Sequence, residues 1–172
     1  TPCSEDQLVV QYEQLVTHMT SLDYEHYELN SFAKPQMHSR NNTGYWTGKP
    51  YLGIGPSAHG FEGTRRAWNV SNNAQYIRAL RNNTLAETEE ILTPIDRFNE
   101  SVMTGLRTQW GVSLEHIKHN FGKRFEDHLI QEIQPQIVAG NIRLEEGVIY
   151  TTKKGRFLAD GIAASLFLVN LS

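Results

Sequence analysis

The sequence has little cysteine, no large excess of charge of one sign and no long apolar run. Each of these absences argues against a class of protein. Cys3 is the one cysteine among 172 residues, so the chain itself supplies neither an internal disulfide nor a thiolate metal cluster. Sixteen basic and 19 acidic residues give a formal net charge of −3, which argues against nucleic acid as a partner. No apolar run reaches the roughly 20 residues that a membrane span needs.

The start of the sequence also lacks features of a natural N-terminus. The chain begins at Thr1, without a methionine, a charged leader region or an apolar segment. We therefore interpret it as a piece of a longer protein. A single cysteine is consistent with a reducing compartment, and we expect a cytoplasmic location.

What the sequence does contain is a normal share of hydrophobic residues, 39%, arranged first as an α–β unit. Ser4 followed by Gln7 is a capping signature before an apolar i, i+4, i+7 series, which predicts a helix that ends near Ser21. The tyrosine-rich residues 24–29 predict a strand. An unpaired edge on that strand would invite pairing with a second copy, so a homodimer is one expected assembly.

Extended segments and a second helix are predicted next. Residues 65–70, around Trp68, are expected to be extended. A helix is expected from Ser71 to the Asn82-Asn83 pair, with three apolar side chains facing inward: Ala74, Ile77 and Leu80. The acidic residues 87–90 are interpreted as a solvated connector, which divides the chain into domains at 1–86 and 87–172.

The second half predicts three helices, a hairpin and a final helix. Thr93 and Pro94 are a cap and a favoured first helical residue. The expected order is a helix to Gly111, a short helix capped by Ser113, a third helix from Phe121 that Pro135 ends or kinks, a hairpin at 142–150, and a helix from Thr152 to about Asn170. This order is typical of a winged helix. The predicted fold class is α+β.

The densest candidate site is the run 39–61, whose pattern is neither helical nor strand-like. We expect a turn-forming front, an aromatic pair, an apolar strand-like core and a glycine-rich turn that carries His59. The residues concerned are Asn41, Asn42 and Gly44 in the front, Tyr45 and Trp46 as the pair, and Tyr51, Leu52 and Ile54 in the core. Polar and aromatic loop segments of this kind usually form sites.

Several motifs have competing interpretations. Residues 53–58 spell G-x-G-x-x-A, but a dinucleotide fingerprint needs a helix to begin there, and a strand that ends in a tight turn fits better. Met37 and His38 could ligate iron or be plain loop residues. His116 and His119 are three apart without a completing ligand set, so no metal site and no catalytic residue are assigned.

The predicted third helix could also bind DNA, and the balance of its charges affects how well it would do so. Lys123 and Arg124 lie near its start, but acidic side chains outnumber them on the same helix: Glu126, Asp127 and Glu132. These carboxylates would repel phosphate, so the alternative to an enzyme is a non-catalytic interaction module more than a nucleic-acid-binding one.

Several motifs in order resemble one family, the radical-SAM proteins called oxygen-independent coproporphyrinogen III oxidase-like, which include haem chaperones. The chain is similar to the C-terminal half of that family over nearly all of its length. The motifs are YEHYELNSFAKP at 24–35, SRNNTGYW at 39–46, YLGIGPSAH at 51–59, RAWN at 66–69, and, in the tail, Arg97, GLR at 105–107, TKKG at 152–155 and LF at 166–167.

The resemblance implies the tail end of a radical-SAM partial (β/α) barrel followed by a winged-helix-like domain. The family holds a 4Fe-4S cluster with three cysteines near its N-terminus, and the cluster cleaves S-adenosylmethionine. Since Cys3 stands alone, the resemblance implies that the fragment is inactive without the N-terminal radical-SAM domain. The whole protein would be a radical-SAM oxidoreductase-like enzyme of porphyrin metabolism or a haem chaperone.

The resemblance also suggests which residues serve haem or substrate. Asn42, Tyr45 and Trp46 match the family pattern His-Asn-x-x-Tyr-Trp, and His59 matches its Gly-Ala-His turn, written here Ser-Ala-His. Asn41 stands where the family has histidine. An amide can hydrogen-bond a propionate but is a poor iron ligand, so the role of position 41 is in doubt here.

Overall fold

The structure is a computed structural model that describes residues 4–169, and its fold is α+β. No helix in that part of the chain is both long and apolar enough to cross a membrane. Cys3 and Asn170 lie outside the described residues. The first half consists of α1 (Glu5–Ser21), β1 (Glu25–Glu28), β2 (Ser31–Ala33), α2 (Arg40–Trp46), β3 (His59–Glu62), β4 (Arg65–Asn69), α3 (Asn73–Arg81) and β5 (Glu87–Ile91).

The first helix and strand are confirmed. Ser4 caps α1 through a full capping box, in which its hydroxyl accepts from the Gln7 backbone and the Gln7 side chain accepts from the Ser4 backbone. β1 pairs antiparallel with β2, Glu25 opposite Ala33, and Glu28 forms an isolated bridge with Thr108. The hairpin between β1 and β2 was not predicted, because β2 is only three residues long.

The predicted turn at the front of the run 39–61 is wrong. Residues 40–46 form α2, although Asn41, Asn42 and Gly44 all have low helix propensity. Ser39 explains the difference, because its hydroxyl accepts a hydrogen bond from the Asn42 backbone at 3.3 Å and so begins the helix.

The predicted apolar strand at 51–55 is also wrong. Only Tyr51 makes a bridge, to Phe61, while Leu52 and Ile54 are 82% and 81% exposed. The Asn69 side chain donates to the carbonyls of Gly53 and Gly55 at 3.1 and 2.9 Å, which holds this segment as an irregular loop. Apolar composition therefore does not indicate burial here.

The acidic residues 87–90 are a strand, not a solvated connector. In the sheet β3-β4-β5, β5 pairs antiparallel with β4, and Arg65 binds Glu87 at 2.5 Å and Glu89 at 2.7 Å. The glutamates of this edge strand thus pair with an arginine of the neighbouring strand. The sequence of residues 87–90 alone does not reveal that pairing. The domain boundary at 86/87 stays a prediction.

Helix α3 is confirmed in place but not in orientation. It begins after Asn72, whose side chain accepts from the Gln75 backbone, and ends before Asn82. None of its residues is buried, and Ile77 and Leu80 are nearly half exposed. The inward face predicted for this helix is therefore wrong for the described structure.

The second half folds around one apolar core. Thr93 caps its first helix, as predicted, in a capping box with Asp96. The elements are α4 (Pro94–Leu106), β6 (Val112–Ser113), α5 (Leu114–Phe121), α6 (Lys123–Glu132), α7 (Gln134–Val138), β7 (Ile142–Glu145), β8 (Val148–Thr151), α8 (Lys153–Arg156) and α9 (Ala159–Ser165). The largest fully buried core side chains are Phe98, Val102, Leu106, Ile117, Leu129, Ile133, Ile149 and Leu166.

Three helices and a hairpin occur in the predicted order, but the first helix ends at Leu106 instead of Gly111 and the third begins at Lys123 instead of Phe121. Two further differences concern the third helix and the final one. Pro135 lies in the first turn of α7, so the third helix is divided in two. The single final helix predicted from Thr152 is wrong, since α8 and α9 are separated at residues 157–158. In the sheet, the order is β6-β8-β7, so the hairpin gains a third strand from the loop after α4.

Several long-range contacts join the halves, among them the Glu28–Thr108 bridge. The Arg156 guanidinium donates to the His26 carbonyl at 2.8 Å, and the Gln109 backbone donates to the Tyr27 carbonyl at 2.9 Å. Arg66 also forms an ion pair with Glu100 at 2.5 Å. Between these attachments the two halves enclose a cleft.

Candidate functional site

A cleft of about 740 Å³ lies between the two halves of the molecule. α2 and the β3–β4 hairpin form one wall, and α4, β6 and α5 form the other. The side chains that shape it most are Tyr45, Trp46, Tyr51, Phe61, Arg66, Arg97, Glu100, Met103, Trp110, His116 and Phe121. Its size lies within the range of small-molecule sites, which is about 300–1,000 Å³.

The aromatic pair predicted from sequence lines this cleft. Tyr45 meets Tyr51 edge to face, with ring centroids 4.6 Å apart, and is 45% exposed. The Arg107 guanidinium lies 5.3 Å from the Trp46 ring centroid and pairs with Asp160. The indole Nε1 of Trp46 is buried without a hydrogen-bond partner among the described residues. Such an atom is a donor available to a ligand.

Two arginines give the cleft its positive charge, and they differ in pairing. Arg66 binds Glu100 at 2.5 Å and lies 3.6 Å from Glu90, and the hydrogen bond that it donates to Glu100 raises the Arg66 pKa. Arg97 packs against the Phe121 ring at 5.6 Å. Within residues 4–169 it has no carboxylate at ion-pair distance, so its charge can meet an anionic ligand group.

Met103 and His116 bring soft and nitrogen ligand atoms to the same cleft. Met103, on α4, is 36% exposed. His116, in the first turn of α5, lines the cleft, and its Nδ1 lies 3.1 Å from the Asn120 amide nitrogen. His119 does not line the cleft, so the two histidines three residues apart are not brought together at this site.

The chain matches a family model, curated relatives and a solved structure. The family model described as HemN C-terminal domain matches residues 92–158. The heme chaperone HemW of Bacillus subtilis is 28% identical over 92% of this chain, and that of Lactococcus lactis is 27% identical over 98%. This chain is similar to the C-terminal portion of HemN-like radical-SAM proteins. The resemblance seen in the sequence motifs is confirmed.

A solved structure agrees with this assignment. Coproporphyrinogen III oxidase (HemN) from Escherichia coli, described as a radical SAM enzyme, matches 96% of this chain with a TM-score of 0.72 at 20% sequence identity. At this identity the likeness shows the fold. The chain spans 42% of that protein, and 42% and 44% of the two HemW relatives, so it covers less than half of each.

The other three predicted site residues lie outside the cleft. Asn41 is exposed on α2, and Asn42 is half-buried there. His59 is exposed at the start of β3 and faces Trp68 across the sheet, with ring centroids 5.9 Å apart. The cleft lining therefore includes two of the five predicted site residues, Tyr45 and Trp46, and not the other three.

The loop histidine considered as an iron ligand has other partners. His38 Nε2 lies 2.6 Å from Glu25, and its ring stacks on the buried Tyr27 at 4.7 Å. It also meets the edge of Trp110, a residue that lines the cleft. Met37 is 74% exposed. These contacts explain His38 as a residue that supports the cleft wall.

The far wall of the cleft was missed by sequence reasoning. Arg97, Met103, Trp110 and Phe121 come from the second half and meet Tyr45 only in the folded chain. Arg97 belongs to the resemblance, but no local pattern marked it as a site residue.

One of the two cations near the start of the third helix, Lys123, is paired within that helix. Lys123 lies 2.6 Å from Asp127 and 3.5 Å from Glu126, and the hydrogen bond to Asp127 raises the Lys123 pKa. These pairs leave less free positive charge on α6. The expectation that the chain does not bind nucleic acid stays a prediction.

Proposed function

We propose that this chain is the haem- or porphyrin-handling C-terminal part of a longer HemN-like protein, and that the cleft receives the tetrapyrrole. The observation that carries the proposal is the similarity to HemW heme chaperones over 92% and 98% of the chain. The structure supports it with a cleft of suitable size whose near wall carries the family's Tyr-Trp pair.

The chemistry of the cleft suits a flat aromatic dianion. Tyr45, Trp46 and Trp110 present ring faces and edges on which a porphyrin can pack. The uncompensated guanidinium of Arg97 can bind one propionate through charge-assisted hydrogen bonds. The unpartnered Trp46 Nε1 can donate to a second oxygen.

If the ligand is haem, its iron would take a ligand from this chain. Met103 and His116 both line the cleft, and thioether and imidazole are common axial ligands in haem proteins. Asn120 orients the His116 ring through Nδ1. These residues fit the group, and their role would be to hold the iron while the aromatic walls exclude water.

The radical chemistry of the family is assigned to the portion outside this chain. The family's cluster needs three cysteines and this sequence has one, so its residues do not fit a 4Fe-4S cluster. We place the cluster, S-adenosylmethionine and any oxidoreductase activity in the N-terminal domain of the longer protein. A cytoplasmic location and a winged-helix-like role for residues 92–158 complete the proposal.

Exposed apolar side chains on α1 support a partner domain of the same protein. Leu8, Val10 and Leu15 are each about half exposed on a helix that packs mainly on β1. Apolar residues at such exposure are typical of a surface that another domain covers. The missing barrel strands are the proposed occupant.

Haem titration tests the proposed cleft. We expect a Soret shift on adding haem to the 172-residue chain, and a weaker affinity, roughly tenfold, in Arg97→Gln because one charge-assisted bond is lost. Trp46→Leu should weaken binding as well. The matched control is His59→Ala, which lies outside the cleft and should bind as the parent does.

Two results would contradict the proposed function. One is the absence of a Soret shift in a chain whose far-UV circular dichroism shows that it is folded. The other is equal haem affinity in the parent, Arg97→Gln and Trp46→Leu, which would place the haem somewhere other than this cleft.

A further inference from the structure

A second, smaller pocket of about 250 Å³ lies on the opposite side of the β1 hairpin from the cleft. It is bounded by α1, β1, β7 and α8, and none of its side chains lines the cleft. The side chains that matter are Tyr12, Glu13, His26, Arg143, Lys153 and Arg156. A water molecule takes about 30 Å³ of liquid, so an ion of phosphate size fits here together with several waters.

Two buried polar atoms at this pocket lack partners among the described residues. His26 is 8% exposed, and its Nδ1 makes no hydrogen bond. The hydroxyl of Tyr12 is likewise buried and unpartnered. Buried polar atoms are nearly always satisfied, and each one left alone costs free energy. A ligand that bonds both atoms would remove this cost.

The state of the His26 ring defines what it can accept. Its Nε2 lies 3.0 Å from the Leu29 carbonyl oxygen, which can only accept, so Nε2 carries the hydrogen. Burial lowers the His26 pKa, which favours the neutral ring. In that ring Nδ1 is an acceptor. The complementary ligand atom is therefore a hydroxyl that donates.

Three cations (Arg143, Lys153 and Arg156) and one carboxylate (Glu13) line the pocket, so its charge is positive on balance. Arg156 is held by the His26 carbonyl, and burial lowers its pKa, with Arg143 adding repulsion. Arg143 pairs with Glu145 at 2.8 Å, while Lys153 is exposed and has no carboxylate at ion-pair distance within residues 4–169. The buried Glu28 offsets part of the Arg156 charge. An anion would offset the rest.

We propose that this pocket binds a phosphate group that carries one proton. The phosphate O–H donates to His26 Nδ1, while its charged oxygens accept from the Tyr12 hydroxyl, Lys153 and Arg156. Hydrogen phosphate satisfies both demands of the pocket, negative charge and a donor. Sulfate has the same shape and charge but no proton at neutral pH, so it should be discriminated against.

Isothermal titration with inorganic phosphate and with sulfate tests this assignment. We expect saturable phosphate binding, and weaker sulfate binding at the same ionic strength. Lys153→Gln and Tyr12→Phe should each weaken phosphate binding roughly tenfold, since each removes one hydrogen bond to a charged group. Lys154→Gln is the matched control: it makes the same charge change on the next residue, whose amine instead bonds the Ala139 carbonyl.

Nitrogen-15 shifts of His26 provide a second readout. Phosphate saturation should move the Nδ1 resonance and leave the other imidazoles unchanged. A parallel titration with glycerol 3-phosphate at pH 8 distinguishes a free ion from a phosphate ester, because the ester has lost its last proton there and should bind more weakly than hydrogen phosphate, which keeps one.

Three outcomes would overturn the phosphate site. The first is phosphate binding that does not saturate in the folded chain. The second is sulfate binding as tight as phosphate binding. The third is equal weakening of phosphate binding by Lys153→Gln and Lys154→Gln. The last result would mean that only the general charge of the surface is felt. None of the variants touches the cleft, so haem binding provides an independent check that each is folded.

Discussion

Arg66 on β4 and Glu100 on α4 meet at 2.5 Å across the base of the cleft, and this pair joins its two walls. Both side chains are about one-third exposed or less. β4 is the central strand of its sheet, and α4 carries much of the second core. The separation of the walls therefore depends on a contact that is itself part of the cleft lining.

Removing this pair should loosen the walls more than it destabilises either core. We expect a coupling free energy of about 0.5–1 kcal/mol between Arg66→Gln and Glu100→Gln, because the pair is partly solvent-screened. A double-mutant cycle from urea unfolding measures it, and the coupling should fall in high salt. Arg65→Gln combined with Glu100→Gln is the control and should show none, since Arg65 binds Glu87 and Glu89 instead.

Gly155 is predicted to be the least replaceable glycine of the C-terminal domain. A Cβ at this buried position would overlap the backbone of Asn141, so Gly155→Ala should lower the free energy of unfolding by about 2–4 kcal/mol. Gly161→Ala is the control on α9, where a Cβ meets nothing, and it should stabilise by about 0.5–1 kcal/mol. Equal urea midpoints for the two variants would contradict this account of the TKKG motif.

The cap of α4 should make stability depend on pH in the acid range. The Thr93 hydroxyl, and then the Thr93 backbone N–H, lower the Asp96 pKa by hydrogen bonding. A carboxyl whose pKa is lower when folded contributes stability above its unfolded value, about 3.9, and loses it as pH falls through the folded value. Asp96→Asn should therefore be less stable than the parent at pH 7 and approach it below pH 4, as urea midpoints would show.

Substitutions of Thr93, the other residue of this cap, test the same hydrogen bonds. Thr93→Ala should cost about 1 kcal/mol at pH 7, whereas Thr93→Ser keeps the hydroxyl and should be nearly neutral. A constant difference between Asp96→Asn and the parent from pH 7 to pH 3 would refute the role of the charge.

Asn41 offers a test of how the family histidine would act. Residue 41 lies one helical turn before Tyr45 on α2, so the two share a face of the helix, and Tyr45 lines the cleft. We expect Asn41→His to move the Soret band of the bound haem by bringing an imidazole to the cleft mouth. Arg40→His is the control, because its neighbours one turn on, Thr43 and Gly44, do not line the cleft, and it should leave the spectrum unchanged. Identical spectra for the two variants would remove position 41 from the site.

Features with local physical causes were predictable from sequence. The caps at Ser4, Thr93 and Ser113 and the glycine turn of the β7–β8 hairpin each depend on residues within three or four positions, and all are confirmed. Strand β4 also followed from its own composition. The resemblance to the family identified Tyr45 and Trp46 as site residues. Local sequence patterns alone indicated only a loop at these positions.

Features set by distant partners were not predictable. Glu87 and Glu89 look solvated in sequence, and Arg65 makes them a strand. Leu52 and Ile54 look buried, yet the Asn69 side chain holds their segment as an exposed loop. The cleft is the extreme case, since Tyr45 and Phe121 are brought together only by the packing of the two halves.

The hydrogen bond from Arg156 to the His26 carbonyl joins residues 130 positions apart, so it can form only after most of the chain has been synthesised. During synthesis the first hairpin emerges long before its anchor exists. Contacts of such sequence separation form late, because the intervening chain must be ordered first. Until α8 has been made, the N-terminal hairpin has only its attachments to Thr108 and Gln109, and a nascent chain stopped before α8 would leave His26 and Tyr12 exposed.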